Sequence, residues 1–156
     1  MESRMANPAV IVPEAMPALQ ALGQSLFASA AAAGVSTRTL YLMYYRVSQI
    51  NGDSVCVDLH SRNALAAGES ADRLFAVSAW RESPIFEDAE RAALALSETT
   101  TRISDRPDPV PDEIYDEAAR HYGEQAIATL IAGIATANLW NRLNVATRQV
   151  VRTTTA

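Results

Sequence analysis

An all-α fold is what the 156-residue sequence predicts, on three observations. Alanine supplies 29 residues and aromatics only 6%, a mixture that favours helices packed closely through small side chains over a β-sandwich rich in Val, Thr and Tyr. Apolar residues recur at three-to-four spacing, the period of one helix face. Between these stretches stand capping residues and glycines that start and stop helices.

Taken in order, residues 1–12 read as a flexible arm. The first helix is expected over Pro13–Ala33, where Leu19, Leu22, Leu26, Ala30 and Ala33 share a face and Gly34 ends it. Ser36 or Thr37 caps a second, whose Leu40, Met43, Tyr44, Val47 and Ile50 share a face before Asn51-Gly52 stops it. Asp53 or Ser54 caps a third through Ala67, closed by Gly68, and a fourth follows from about Ser70 to Trp80. A fifth runs from about Asp88 to Arg102, and its opening run Glu87 to Arg91 puts negative charge at the favoured end. Ser104 to Pro111 holds three of the seven prolines and is a linker too short to separate domains. Asp112 caps a helix through about Tyr122, and the last helix spans roughly Glu124 to Arg148. The reading is one helical domain, residues 13–150, with a tail over 151–156.

Charge and rare residues remove whole classes of function. A formal net charge of -5 offers nucleic acid and anionic membranes no general attraction. All 13 basic residues are Arg, so lysine Schiff bases, a lysine general base and a P-loop are excluded. With one cysteine, Cys56, and two histidines, the chain forms no internal disulfide and no Cys-based zinc site, and neither metal nor organic cofactor is called for. No leader-like or spanning apolar stretch stands out, and a cytoplasmic protein is expected.

The residues that carry chemistry lie in NGDSVCVDLH, Asn51 to His60. With Asp53 or Ser54 as N-cap, Cys56 falls in the first helical turn, where free amide N–H groups and the helix dipole favour a thiolate and a lowered pKa is expected, while the negative charge of Asp53 beside it acts the other way. His60, four residues on, lies one turn away on the same face and can accept the thiol proton directly or through water. Asp58 points away from both and is expected in solvent. A small buried hydrophobe is the alternative reading of Cys56.

Beyond spacing, the run RVSQINGDSVCVDLHSRNALAAGES, Arg46 to Ser70, resembles the signature helix pair of the carboxymuconolactone decarboxylase and alkylhydroperoxidase D family. RLFAVSAWRESPIFEDAERAALALSE, VPDEIYDEA and ANLWNRLNVATR resemble its later segments in order, Asn138, Asn141 and Arg142 among them. The resemblance implies an AhpD-like all-helical fold that assembles into homo-oligomers, trimers or hexamers among them. It also implies thiol chemistry in which Cys56 and His60 match the second Cys and the His of the family's CxxC centre. Asp53 stands where the first Cys is expected, and Tyr41 where a relay Glu is expected. Without a partner thiol, a Cys56 sulfenic acid needs an external thiol to resolve it. Tyr41, neutral near pH 7, offers a hydrogen bond but no carboxylate.

The leading expectation is therefore a thiol peroxidase of antioxidant type, with Cys56 as the redox thiol and His60 as proton acceptor. One alternative is a carboxymuconolactone decarboxylase-like lyase acting on a small organic acid, with Arg46 and His60 as its pocket residues. Another is a non-enzymatic oligomer that has lost the redox pair. Arg46 also reads as a plain surface or interface residue, and His121 as a partner of a helix C-terminus. Trp80, Phe86 and Trp140 read as packing residues, and Asn138 and Asn141 as hydrogen-bonding a neighbouring helix or subunit.

Overall fold

The computed structural model describes residues 2–105 and 107–151. Arg106 of the expected linker, and all of the expected tail except residue 151, lie outside the described residues. Within the described residues the chain is helical, and its order follows from local capping. α1 (Pro8–Ile11) is a single turn started by Asn7, whose side chain accepts from the Ala9 amide, with Pro8 at the first helical position. α2 (Ala15–Ala32) follows, shorter at its start than expected because Glu14 adopts a left-handed conformation, φ 61°. α3 (Thr37–Asn51) is capped by the Ser36 hydroxyl and ended by Gly52 at φ 67°, a conformation glycine adopts without a Cβ penalty. α4 (Ser54–Ala66) begins at once, capped by Asp53.

α5 (Ala71–Ala76) is capped by Ser70 and passes into a 3₁₀ turn over Val77–Ala79, so the single helix expected to Trp80 is split. Beyond it, the Arg91 guanidinium donates to the carbonyls of Trp80, Arg81 and Ser83, gathering the following turn around one cation. α6 (Asp88–Thr101) opens with a reciprocal Glu87/Glu90 capping box, α7 (Asp112–His121) follows Pro111, and α8 (Glu124–Thr147) closes the fold. His121 sits in the last turn of α7, paired with Glu117 at 3.1 Å.

α3 is the central element, packed on α4, α6 and α8. Its Leu40, Met43 and Val47 meet Ala93 and Leu96 of α6 and Leu130 and Ile134 of α8, all essentially inaccessible. Leu42 points the other way, toward Ala64, Leu74, Val77, Trp80, Phe86 and Leu94. Each such Leu or Ile contributes about 1.5–3 kcal/mol by burial. α8 packs on α3 at Gly133, where a Cβ would stand 2.8 Å from the Tyr44 hydroxyl, so a larger residue there would displace the Tyr44 side chain.

The segment expected as a flexible arm is placed against the end of α8. The Arg4 amide donates to the Thr147 carbonyl at 2.9 Å and its guanidinium to that of Ala146 at 3.0 Å, satisfying acceptors that a helix C-terminus leaves free. Among the described residues no helix is long and apolar enough to cross a membrane.

Candidate functional site

The site grows from the turn between α3 and α4. Gly52 reverses the chain, and Asp53, only 2% exposed, becomes the cap of α4. Its Oδ1 accepts from the amides of Val55 (3.0 Å) and Cys56 (3.3 Å), while Oδ2 accepts from the side-chain amides of Asn141 and Asn144, both at 2.9 Å. A carboxylate with four donors is tolerated away from water because each lone pair finds a partner. Asn138, Asn141 and Asn144 recur every three residues on the face of α8 turned to this turn. The Asn51 side-chain amide donates to the side-chain oxygens of Asn138 and Asn141, each at 2.9 Å, and Asn141 Nδ2 donates to the Ser48 hydroxyl at 3.1 Å. Asn138 and Asn141 thus bond a neighbouring helix, as expected. Asn144 was not singled out in the sequence, although the three-residue spacing continues to it.

Cys56 lies directly under Asp53 and is 4% exposed. Its sulfur accepts from Asn144 Nδ2 at 3.4 Å. Burial, then the Asp53 hydrogen bond and charge, push the thiol up to about 12, against the smaller opposing effect of Asn141 and Asn144. This corrects the expected lowering. The helix N-terminal amides that would have stabilised a thiolate, those of Val55 and Cys56, are spent on the Asp53 carboxylate.

His60 stands one turn along α4 on the same face. Its ring packs on Tyr44 and Tyr41, with centroids 5.3 and 6.5 Å away. Burial lowers it to about 4, with the Asp53 charge pulling weakly the other way, so it is neutral at pH 7. Its Nδ1 is buried without a hydrogen-bond partner. The ring borders a cavity of about 130 Å³ whose other walls include Leu26, Phe27, Tyr44, Thr136 and Trp140. Tyr41 flanks this group through Phe27 and His60, whereas Trp140 lines the cavity instead of the core.

Arg46 is not brought to the cavity. It is bound to Glu98 at 2.6 Å, and Glu98 also receives Trp80 Nε1 (3.1 Å) and Arg81. Burial raises the Glu98 carboxyl, but donation by Arg81, Arg46 and Trp80 outweighs it and leaves the group below its ordinary value. Asp58 pairs with Arg62 at the surface, at 2.9 Å, as its outward direction implied. Among the described residues no three His, Cys, Asp or Glu side chains gather as a metal site.

Residues 13–99 match the carboxymuconolactone decarboxylase family, more than half of the chain. The chain belongs to that family. Family relatives include the uncharacterized protein YdfG of Bacillus subtilis, 38% identical over 112 residues, 72% of this chain and 75% of YdfG. Another is the uncharacterized protein YnjA of Escherichia coli, 37% identical over 103 residues; the match covers 66% of this chain but only 55% of YnjA. Among solved structures, a protein of unknown function from Agrobacterium tumefaciens, proposed as the antioxidant defence protein AhpD, superposes with a TM-score of 0.87 at 31% identity, over 97% of this chain and 99% of that one. The debrominase Bmp8, in a cysteine-to-alanine variant bound to 2,3,4-tribromopyrrole, superposes with a TM-score of 0.79 at 25% identity, over 91% of this chain and 73% of its own. The all-helical, AhpD-like fold expected from the family's motifs is thus the fold observed.

Proposed function

We propose that this family member is a one-cysteine thiol peroxidase of the alkylhydroperoxidase D type, working as a homo-oligomer with an external thiol as reductant. The observation that supports it most is a single thiol set between a carboxylate and, one turn away, a neutral histidine beside a small apolar cavity. Cys56 rests as a thiol, so its proton must leave as the sulfur attacks the terminal peroxide oxygen. His60, uncharged and with a free Nδ1, is the acceptor for that proton. The O–O bond breaks, the alkoxide takes the proton and leaves as alcohol, and sulfur is left as sulfenic acid. Two equivalents of external thiol then return Cys56 to the thiol, giving a disulfide and water. A cavity of about 130 Å³ is close to the roughly 150 Å³ that holds a benzene ring, which suits a compact organic hydroperoxide.

A second reading draws on the aromatic walls of the cavity, Phe27, Tyr44 and Trp140, together with the ligand held by Bmp8: a small halogenated aromatic in place of the peroxide. The lyase alternative is weakened because Arg46, its carboxylate partner, is already occupied by Glu98.

The test is single-turnover oxidation of Cys56 by tert-butyl hydroperoxide between pH 4 and pH 9, in wild type and in His60→Ala. A proton acceptor in the transition state is worth about 10²-fold or more, so His60→Ala should slow oxidation by about that factor. The wild-type rate should fall at the acid end as His60 becomes protonated. Oxidation no faster than that of an ordinary thiol of the same pKa, and indifferent to His60, would overturn the peroxidase reading.

A further inference from the structure

We propose that Asn7, on the N-terminal segment, is a positioning residue for Cys56: by donating to the Asn144 side-chain carbonyl it holds that amide with its N–H groups toward Asp53 and the Cys56 sulfur. The chain of contacts is short. Asn7 Nδ2 donates to Asn144 Oδ1 at 2.8 Å, and Asn144 Nδ2 donates to Asp53 Oδ2 at 2.9 Å and to Cys56 Sγ at 3.4 Å. A side-chain amide has two orientations related by a flip, and its network decides between them. In the observed one every end is matched. The flipped one would set a carbonyl oxygen against the Asp53 carboxylate and turn an NH2 group toward the NH2 group of Asn7.

Asn7 is itself fixed. Its Oδ1 caps α1 by accepting from the Ala9 amide at 2.9 Å, and Ala9 is 3% exposed. Just before it, Arg4 is bonded to the carbonyls of Ala146 and Thr147, and Gln149 donates to the Met5 carbonyl at 2.9 Å. A donor on the Asn144 carbonyl also polarises its amide and strengthens what it gives at the other end. Asp53, about two turns from His60 and three residues from Cys56, is the charge that bears on the sulfur. Loss of Asn7 weakens a donor to the sulfur and a donor to Asp53 together, and both losses disfavour the thiolate.

This rests on Cys56 as the reacting group, but the readout is alkylation of Cys56 by iodoacetamide, which needs no peroxide turnover. Failure of the peroxidase reading therefore leaves the measurement intact. Rates are followed from pH 7.5 to pH 10 in wild type, Asn7→Ala, Asn7→Ser, Asn144→Ala and the Asn7→Ala/Asn144→Ala double variant. Asn7→Ser keeps a capping oxygen for α1 but is too short to reach Asn144, so it separates the donor from the cap. Both Asn7 variants should slow alkylation about two- to tenfold at pH 9, the range one hydrogen bond commands, with the pH curve displaced upward to match. Asn144→Ala should slow it at least as much, and adding Asn7→Ala to it should change nothing further. Rates within twofold of wild type, or effects that multiply in the double variant, would overturn the assignment. So would faster alkylation, which would mean that the segment only shields the thiol.

Discussion

Cys56 and Asp53 show how one residue's preference is reversed by its neighbour. A cysteine in the first turn of a helix ordinarily gains from the free amides there, yet here the thiol is buried, and a carboxylate beside it has taken those amides and adds its own charge. Asp53→Asn removes that charge and still leaves a competent cap. Cys56 alkylation at pH 8.5 should rise about tenfold or more, and an unchanged rate would assign the raised pKa to burial alone. His60 carries a second consequence. Its pKa is about 4 in the fold against 6.5 in the open chain, so the unfolded state binds more protons and stability is lost as pH falls through that window. Denaturant unfolding should show wild type losing about 2 kcal/mol more than His60→Gln between pH 7 and pH 5. Cys56 acts at the other end. Its thiol stays protonated up to about 12 in the fold but ionises near 9.0 when exposed, so it lowers stability as pH rises between those values.

At the scale of elements, the meeting of α3 and α8 at Gly133 is the contact most sensitive to one atom. Gly133→Ala gains about 1 kcal/mol of helix propensity but drives a methyl to 2.8 Å from the Tyr44 hydroxyl and 3.1 Å from its ring. Tyr44 is packed on Phe27 and His60 and can give way only toward the cavity it borders. The variant should lose about 1–3 kcal/mol net in thermal or denaturant unfolding, and Tyr44→Phe in that background should restore part of it. Most helix ends were legible because they are local. Ser36, Asp53 and Ser70 cap, and Gly34, Gly52 and Gly68 turn left-handed, within a few residues of where they act. The one-turn α1 and the end of the helix expected to Trp80 were not legible: α1 is four residues long, and the turn after the 3₁₀ segment is gathered by Arg91 reaching back from another helix. The pair of Cys56 and His60 could be read from spacing on α4, but the sign of the thiol shift could not. That sign follows from the burial of the thiol under the tertiary fold and from the Asp53 carboxylate held beside it, whereas Asn141 and Asn144, about ninety residues away, pull weakly the other way.

For the whole molecule, the surface that matters is the apolar face shared by α1, α2 and α8. Val10, Ile11 and Val12 are more than half exposed, Leu22 and Leu139 about 40% exposed, and Val12, Leu19, Leu139 and Leu143 border one groove with Pro8 and Ala9. Apolar side chains gathered this way mark a surface that is covered in use, and the proposed homo-oligomer supplies a second copy to cover it. Sedimentation velocity at micromolar concentration should find a defined multimer, and Leu139→Glu should shift it toward single chains by placing a charge where water is to be excluded. The same face touches the thiol site from behind: Pro8 and Ala9 border the groove while Asn7, the preceding residue, holds Asn144. Assembly on this face would steady the segment that orients the Asn144 amide. Leu139→Glu should then slow Cys56 alkylation in the same direction as Asn7→Ala, although Leu139 belongs to neither the thiol network nor the cavity. A multimer that dissociates with no change in alkylation would separate assembly from the site, and a wild-type chain that sediments singly would remove self-association as the cover for this face.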